Sequence, residues 1–258
     1  MQRRTRITSV AIGAVTAAAV AATVITLTND SDQTKKAAAT QGVLLAEGSD
    51  RLPNQTAEDW VTYADHVVIV SATSEQEVAP DQVEIDRGEG LIGRNVNLKV
   101  DKVLWSRDGA LKAAPKTWEY PTLGWQFKDD DLDNRQKMAM ADSPRLEKGH
   151  SYIMAIMWEA AQCPEGDEKE PAGWFGLGEG SEIPYDNGII GNGENEGSTH
   201  KVSKAGRAPL SVAAATEDDP NAGLEERLAG QSVTTLVAEL EAAKPVEKEQ
   251  FREPAPCG

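Results

Sequence analysis

The chain has 258 residues, 40% of them hydrophobic, with a formal net charge of −16, three histidines and two cysteines. That is enough apolar material for one ordinary globular core. A surface this acidic repels phosphates, stays soluble and attracts cations or basic partners, which argues against nucleic acid as a partner.

Met1–Arg6 is basic, and Ile7–Thr28 is an uncharged run built mainly from Ala, Val, Thr and Ile. Its length suits a membrane anchor, since a span needs about 20 residues. Ala19, Ala21 and Ala22 would also permit cleavage of a signal peptide, which would leave the domain secreted. With Arg3, Arg4 and Arg6 before the run, the N-terminus is expected in the cytoplasm and the body outside it. Residues 29–50 have no sustained period and read as a flexible tether. Residues 51–258 are then the extracytoplasmic domain. Thr56 is placed to cap a helix over Ala57–Ala64, with Glu58 and Asp59 in its first turn. His66–Ser71 follows as a short β-branched run, the pattern of a strand covered on both faces.

Ser74–Gly93 is polar and reads as a loop. It contains Gly88, Gly90 and Gly93 at GxGxxG spacing, but this motif enters a strand, whereas a dinucleotide fingerprint opens a helix. Turn geometry accounts for the glycines, and no cofactor is expected. Over Gly93–Trp105, Val96, Leu98 and Val100 alternate with polar residues until Val103, Leu104 and Trp105 break the pattern, as a bulge would. Pro121 and Gly124 divide Lys116–Phe127 into two expected strand pieces joined by a turn. Asp129, Asp131 and Asp133 have the spacing of the first ligands of a calcium loop, yet Asn134 and Met140 stand where its glycine and bidentate glutamate belong. An acidic turn with at most weak calcium binding is the expectation.

Gly149–Trp158, apolar on both faces, reads as a central strand. Gly173–Gly197 holds eight glycines among aromatic and aliphatic residues, as at close crossings and barrel corners. Residues 198–221 show no obvious structure. Ser232 precedes a last helix in which Val233, Leu236, Val237 and Leu240 share a face that should pack on the sheet. The expected fold is mainly β (α+β): a small curved antiparallel sheet or OB-like barrel with an N-terminal and a C-terminal peripheral helix, preceded by a transmembrane helix.

His66, His150 and His200 are too scattered for a ligand-spacing rule, and no nucleophile elbow, HExxH, Walker loop or CxxC is present. The acidic residues of the glycine-rich region could supply paired carboxylates for hydrolysis, with Glu179, Asp186 and Glu194 the catalytic candidates. Trp125, Trp158 and Trp174 could line a groove or fill the core. Cys163 and Cys257 are the only cysteines; both follow the apolar run, and an exported, oxidising location pairs them in one disulfide.

Ala-Asp-His-Val-Val-Ile-Val (64–70), Val-Leu-Trp (103–105), Leu-Glu-Lys-Gly-His-Ser-Tyr (146–152) and the closing helix resemble a loose group of exported, membrane-anchored bacterial proteins of unknown function. More distantly they resemble the OB-type barrels of the netrin and tissue-inhibitor class. The resemblance spans about residues 56–243, implies a five- or six-stranded barrel with peripheral helices, and transfers no catalytic residue. The expected function is a non-enzymatic envelope module, tethered to the membrane through residues 7–28, that binds an envelope protein, small ligand or cation. The alternative is an extracytoplasmic hydrolase. Carboxylates converging in one pocket, one with a raised pKa, would mark the enzyme.

Overall fold

The computed structural model describes residues 42–163, 171–202 and 222–248. The apolar run expected to cross the membrane lies outside them, and among the described residues no helix is long and apolar enough to do so. The described chain begins with a three-residue strand, β1 (Leu44–Ala46), before α1 (Ala57–Tyr63). Thr56 and Asp59 close a reciprocal capping box at the start of α1. The Trp60 indole is buried and donates to the Asn54 carbonyl at 2.7 Å.

The β-branched run opens β2 (His66–Val78), which reaches well beyond the expected end at Ser71. The polar stretch after it is not a plain loop. Asp81 and Glu84 form a second capping box on α2 (Gln82–Arg87), which ends at Gly88 in the left-handed conformation. Its glycines therefore close a helix and open the strand β3 (Gly90–Ser106). The expected break in alternation is a bulge: Val67 pairs with Trp105 and Val68 with Val103, skipping Leu104.

Lys116–Phe127 is not two pieces but most of one strand, β4 (Thr117–Lys128). Pro121 is tolerated because β5 (Asp131–Met140) flanks only Trp125–Lys128, leaving the first half of β4 as an edge. Gly124 is the extra residue of a bulge, where a Cβ would stand 2.3 Å from the Ile92 carbonyl. The central strand β6 (Ser151–Glu159) pairs with β2 on one side. Along its other side lie, end to end, β7 (Gly173–Gly176) and β8 (Glu182–Pro184).

The sheet order is β1-β5-β4-β3-β2-β6-β7, with β8 beside β6. The fold is mainly β, as expected, and it differs from the expected small antiparallel sheet or OB-like barrel in two respects. No pairing among the described residues joins β7 to β1, so the sheet is open there, and β1 runs parallel to β5, making it mixed. A small hairpin pairs β9 (Gly193–Asn195), in the glycine-rich segment, with β10 (Ser198–His200), which occupies the start of the segment read as unstructured. Two helices follow, α3 (Leu224–Leu228), unexpected from sequence, and α4 (Val233–Ala242), as expected.

Leu236 and Leu240 of α4 join Trp60, Val67, Ile153 and Ala155 in one core, so α1 and α4 both cover one face of the sheet. Val68, Val70, Val96, Leu98, Met154 and Ile156 form a second core on the other face. The strands β2 and β6 are therefore buried on both sides, which is why their sequences lack strict alternation.

Candidate functional site

A cavity of about 140 Å³ opens where four distant segments meet. Asp50 comes from the chain after β1, Tyr120 from β4, Ser143 and Arg145 from the turn after β5, Glu179 from the turn joining β7 to β8, and Glu182 from the first position of β8. The glycine-rich sequence makes this approach possible. A Cβ on Gly176 would lie 2.8 Å from the Tyr120 hydroxyl and 3.2 Å from Glu182 Oε1. Gly178 has φ +134°, and a Cβ there would come within 2.2 Å of Asp50.

The carboxyls are graded by depth. Asp50, on the exposed rim, accepts from the Glu179 backbone N–H at 3.1 Å and from Asn54 Nδ2 at 2.7 Å. Glu179 is half-buried. Burial, reinforced by Asp50 and Asp142, raises its pKa above the usual carboxylate value. Glu182 forms the floor at 7% exposure, where its Oε1 accepts the Tyr120 hydroxyl proton at 2.5 Å. Burial pushes its pKa up to about 8; the Tyr120 bond opposes the rise, while Asp50, Glu179 and Glu194 add to it. Burial and Glu182 together raise the Tyr120 phenol well above its ordinary range. No ion pair among the described residues reaches Asp50, Glu179 or Glu182.

The three catalytic candidates do not converge. Only Glu179 lines the cavity. Asp186 sits 2.6 Å from His150 Nδ1 and accepts from the Ser151 N–H at 2.9 Å, fixing the entrance to β6. Glu194 is buried; it accepts from the Tyr152 hydroxyl at 2.7 Å and from the N–H groups of Arg145 and Gly197. Both carboxylates therefore brace the fold. Asp50 escaped notice because residues 29–50 read as tether, and Tyr120 because nothing links it in sequence to a glycine-rich turn 60 residues later.

Asp129 is in the β4–β5 turn, where it and Asp130 adopt positive φ, whereas Asp131 and Asp133 are on β5. Asp129 accepts from Asn134 Nδ2 and Asp131 from the Asp133 N–H, so the three do not share a cation loop. Among the described residues no group of three His, Cys, Asp or Glu is placed to hold a metal. Nε2 of His66 donates to the Lys112 carbonyl, and Nδ1 lies 2.8 Å from Ser106 Oγ. Trp125 is stacked by the guanidinium groups of Arg135 and Arg145, while Trp158 and Trp174 meet edge to face at 5.4 Å. Cys163 is not a free thiol, and its expected partner Cys257 lies outside the described residues.

Comparison with family models, curated proteins and solved structures gives no match to this chain.

Proposed function

We propose that the chain is a membrane-tethered, extracytoplasmic binding module whose acidic cleft takes a small ligand carrying a cationic group. The carrying observation is the cluster of three carboxyls, Asp50, Glu179 and Glu182, without a counter-ion from the protein among the described residues. An ammonium or guanidinium group would relieve the repulsion that raises Glu179 and adds to the rise of Glu182. The uncharged run after three arginines supports the tether and the orientation. Calorimetry of the full chain with agmatine tests the cleft. Binding that weakens at least about tenfold in Asp50→Asn and Glu179→Gln supports it, since a charged hydrogen bond contributes about 1.5–3 kcal/mol. Equal affinity in wild type and variants refutes it.

One observation favours the hydrolase as a second reading. A carboxyl of pKa about 8 is protonated at neutral pH, and it shares the cleft with two further carboxyls, the pairing that acid–base hydrolysis needs. Glu182 would be the acid and Glu179 the base or nucleophile. Turnover of aryl glycosides or phosphoesters that Glu182→Gln abolishes, while agmatine binding persists, would establish this reading over the first.

A further inference from the structure

We infer that Gly42–Asp50 is a strap that couples the tether to the cleft: occupancy holds the strap against β5, and its release opens the site. This rests on reading the cleft as a ligand site. The strap's hold is slight. Three residues of β1 pair in parallel with Met138–Met140, no strand among the described residues flanks β1 on its other side, and Leu45 is 45% exposed. Two further bonds assist: Gln136 Nε2 donates to the Gly42 carbonyl at 2.7 Å, and the Ala141 N–H donates to the Ala46 carbonyl at 2.9 Å. Such a short edge has low local stability.

The same two residues of β5 that pair with Leu45 and Ala46, namely Ala139 and Met140, line the cleft. The chain after β1 then passes over it. A Cβ on Gly48 would lie 2.9 Å from Met140 Cε and 3.0 Å from Glu179 Oε1, and Asp50 holds the Glu179 N–H. The strap is itself the last part of residues 29–50, which the sequence assigns to the tether, and it follows directly on the rest of them. A ligand drawing Asp50, Glu179 and Glu182 together therefore secures the strap, and by reciprocity displacement of the strap weakens the ligand.

Hydrogen exchange on the full chain in detergent, with agmatine as probe, tests the coupling. Saturating agmatine should slow amide exchange at residues 44–47 at least about fivefold, the lower end of ordinary coupling. Leu45→Pro, which forces φ away from the strand value on an exposed edge, should weaken agmatine at least about fivefold through faster dissociation, with exchange in β2 and β6 unchanged. Measurable agmatine binding with strap exchange unaltered in wild type, or with Leu45→Pro binding as wild type does, overturns the strap and spares the cleft. No agmatine binding at all overturns both.

Discussion

The acidic cleft and the arginine pair beside it use the same chemistry to opposite ends. Arg94, 1% exposed, donates to the Leu123, Leu146 and Arg145 carbonyls and to Glu75. Arg145 donates to the Met138 and Gly124 carbonyls and to Glu147, which Lys137 also reaches at 2.7 Å. These groups fill the gap at the β3–β4 bulge, where Gly124 and Leu123 turn their carbonyls toward guanidinium donors. Burial and the neighbouring Arg94 lower the Arg145 pKa. Burial alone would raise Glu147, but the Lys137 bond and the charges of Lys137 and Arg145 hold it below its usual value. Below them Tyr152 joins Glu147 to Glu194. In this region each buried charge has its partner within the protein; in the cleft the carboxyls have no ion-pair partner among the described residues. A closed network fixes a fold, whereas an open one leaves binding energy for something else.

Removing a partner from the closed network should have the largest effect. Arg94→Met strips three carbonyls and Glu75 of donors, and denaturant unfolding should show a loss of about 3–5 kcal/mol. A loss under about 1 kcal/mol would mean that the guanidinium is not what holds the bulge.

The cleft should behave in the reverse sense, as a pH-dependent liability. The Glu182 carboxyl has a pKa of about 8 when folded against 4.5 as its ordinary value. Between these values the native state binds the extra proton, so stability falls as pH rises: the contribution is complete below about 4.5 and lost above 8. At about 1.4 kcal/mol per pH unit this amounts to a few kcal/mol. Urea midpoints from pH 5 to 9 should fall in wild type, and Glu182→Gln should reduce that slope, with the remainder supplied by Glu225, which burial also pushes up to about 8. An equal slope in both would place the titration elsewhere.

Tyr152→Phe takes the hydroxyl from Glu194 Oε2 and from the Glu147 N–H, and thermal unfolding should register about 1–3 kcal/mol. A neutral result would move Glu194 from the closed set to the open one. Asp50→Asn should change least. It removes one of the charges that add to the rise of Glu182, so the pH midpoint of the Glu182 transition should drop by less than about one unit with little change in stability at pH 5. A rise in that midpoint would contradict the assigned repulsion.

The closed region was partly legible in the sequence. Arg94 shares strand parity with Ile92, Val96 and Leu98, which all face inward, so its burial follows the same alternation although the sequence pattern did not single it out. Its parity was visible, but its partners at positions 75, 123 and 145–146 come from pairing and turns that no local pattern states. The Thr56 cap, the double-sided β2 and β6 and the closing helix were readable because each rests on local spacing. Helix α2 was missed although Asp81-x-x-Glu84 is a capping signature, because no residue of α2 is buried and no apolar stripe announces it. The cleft was the least legible. Glycines at 176 and 178 signalled a close approach, but not that Asp50 and Tyr120 would be what approached.

The claim that the cleft carboxyls await a cation is tested most directly by titrating agmatine into the full chain at pH 7 in two buffers of different ionisation enthalpy. A cation binding beside a protonated Glu182 should drive it toward ionisation, so the apparent heat should differ between buffers by an amount corresponding to proton release, up to one per site. That release should vanish in Glu182→Gln. Proton uptake, or binding with the same heat in both buffers, would contradict the account.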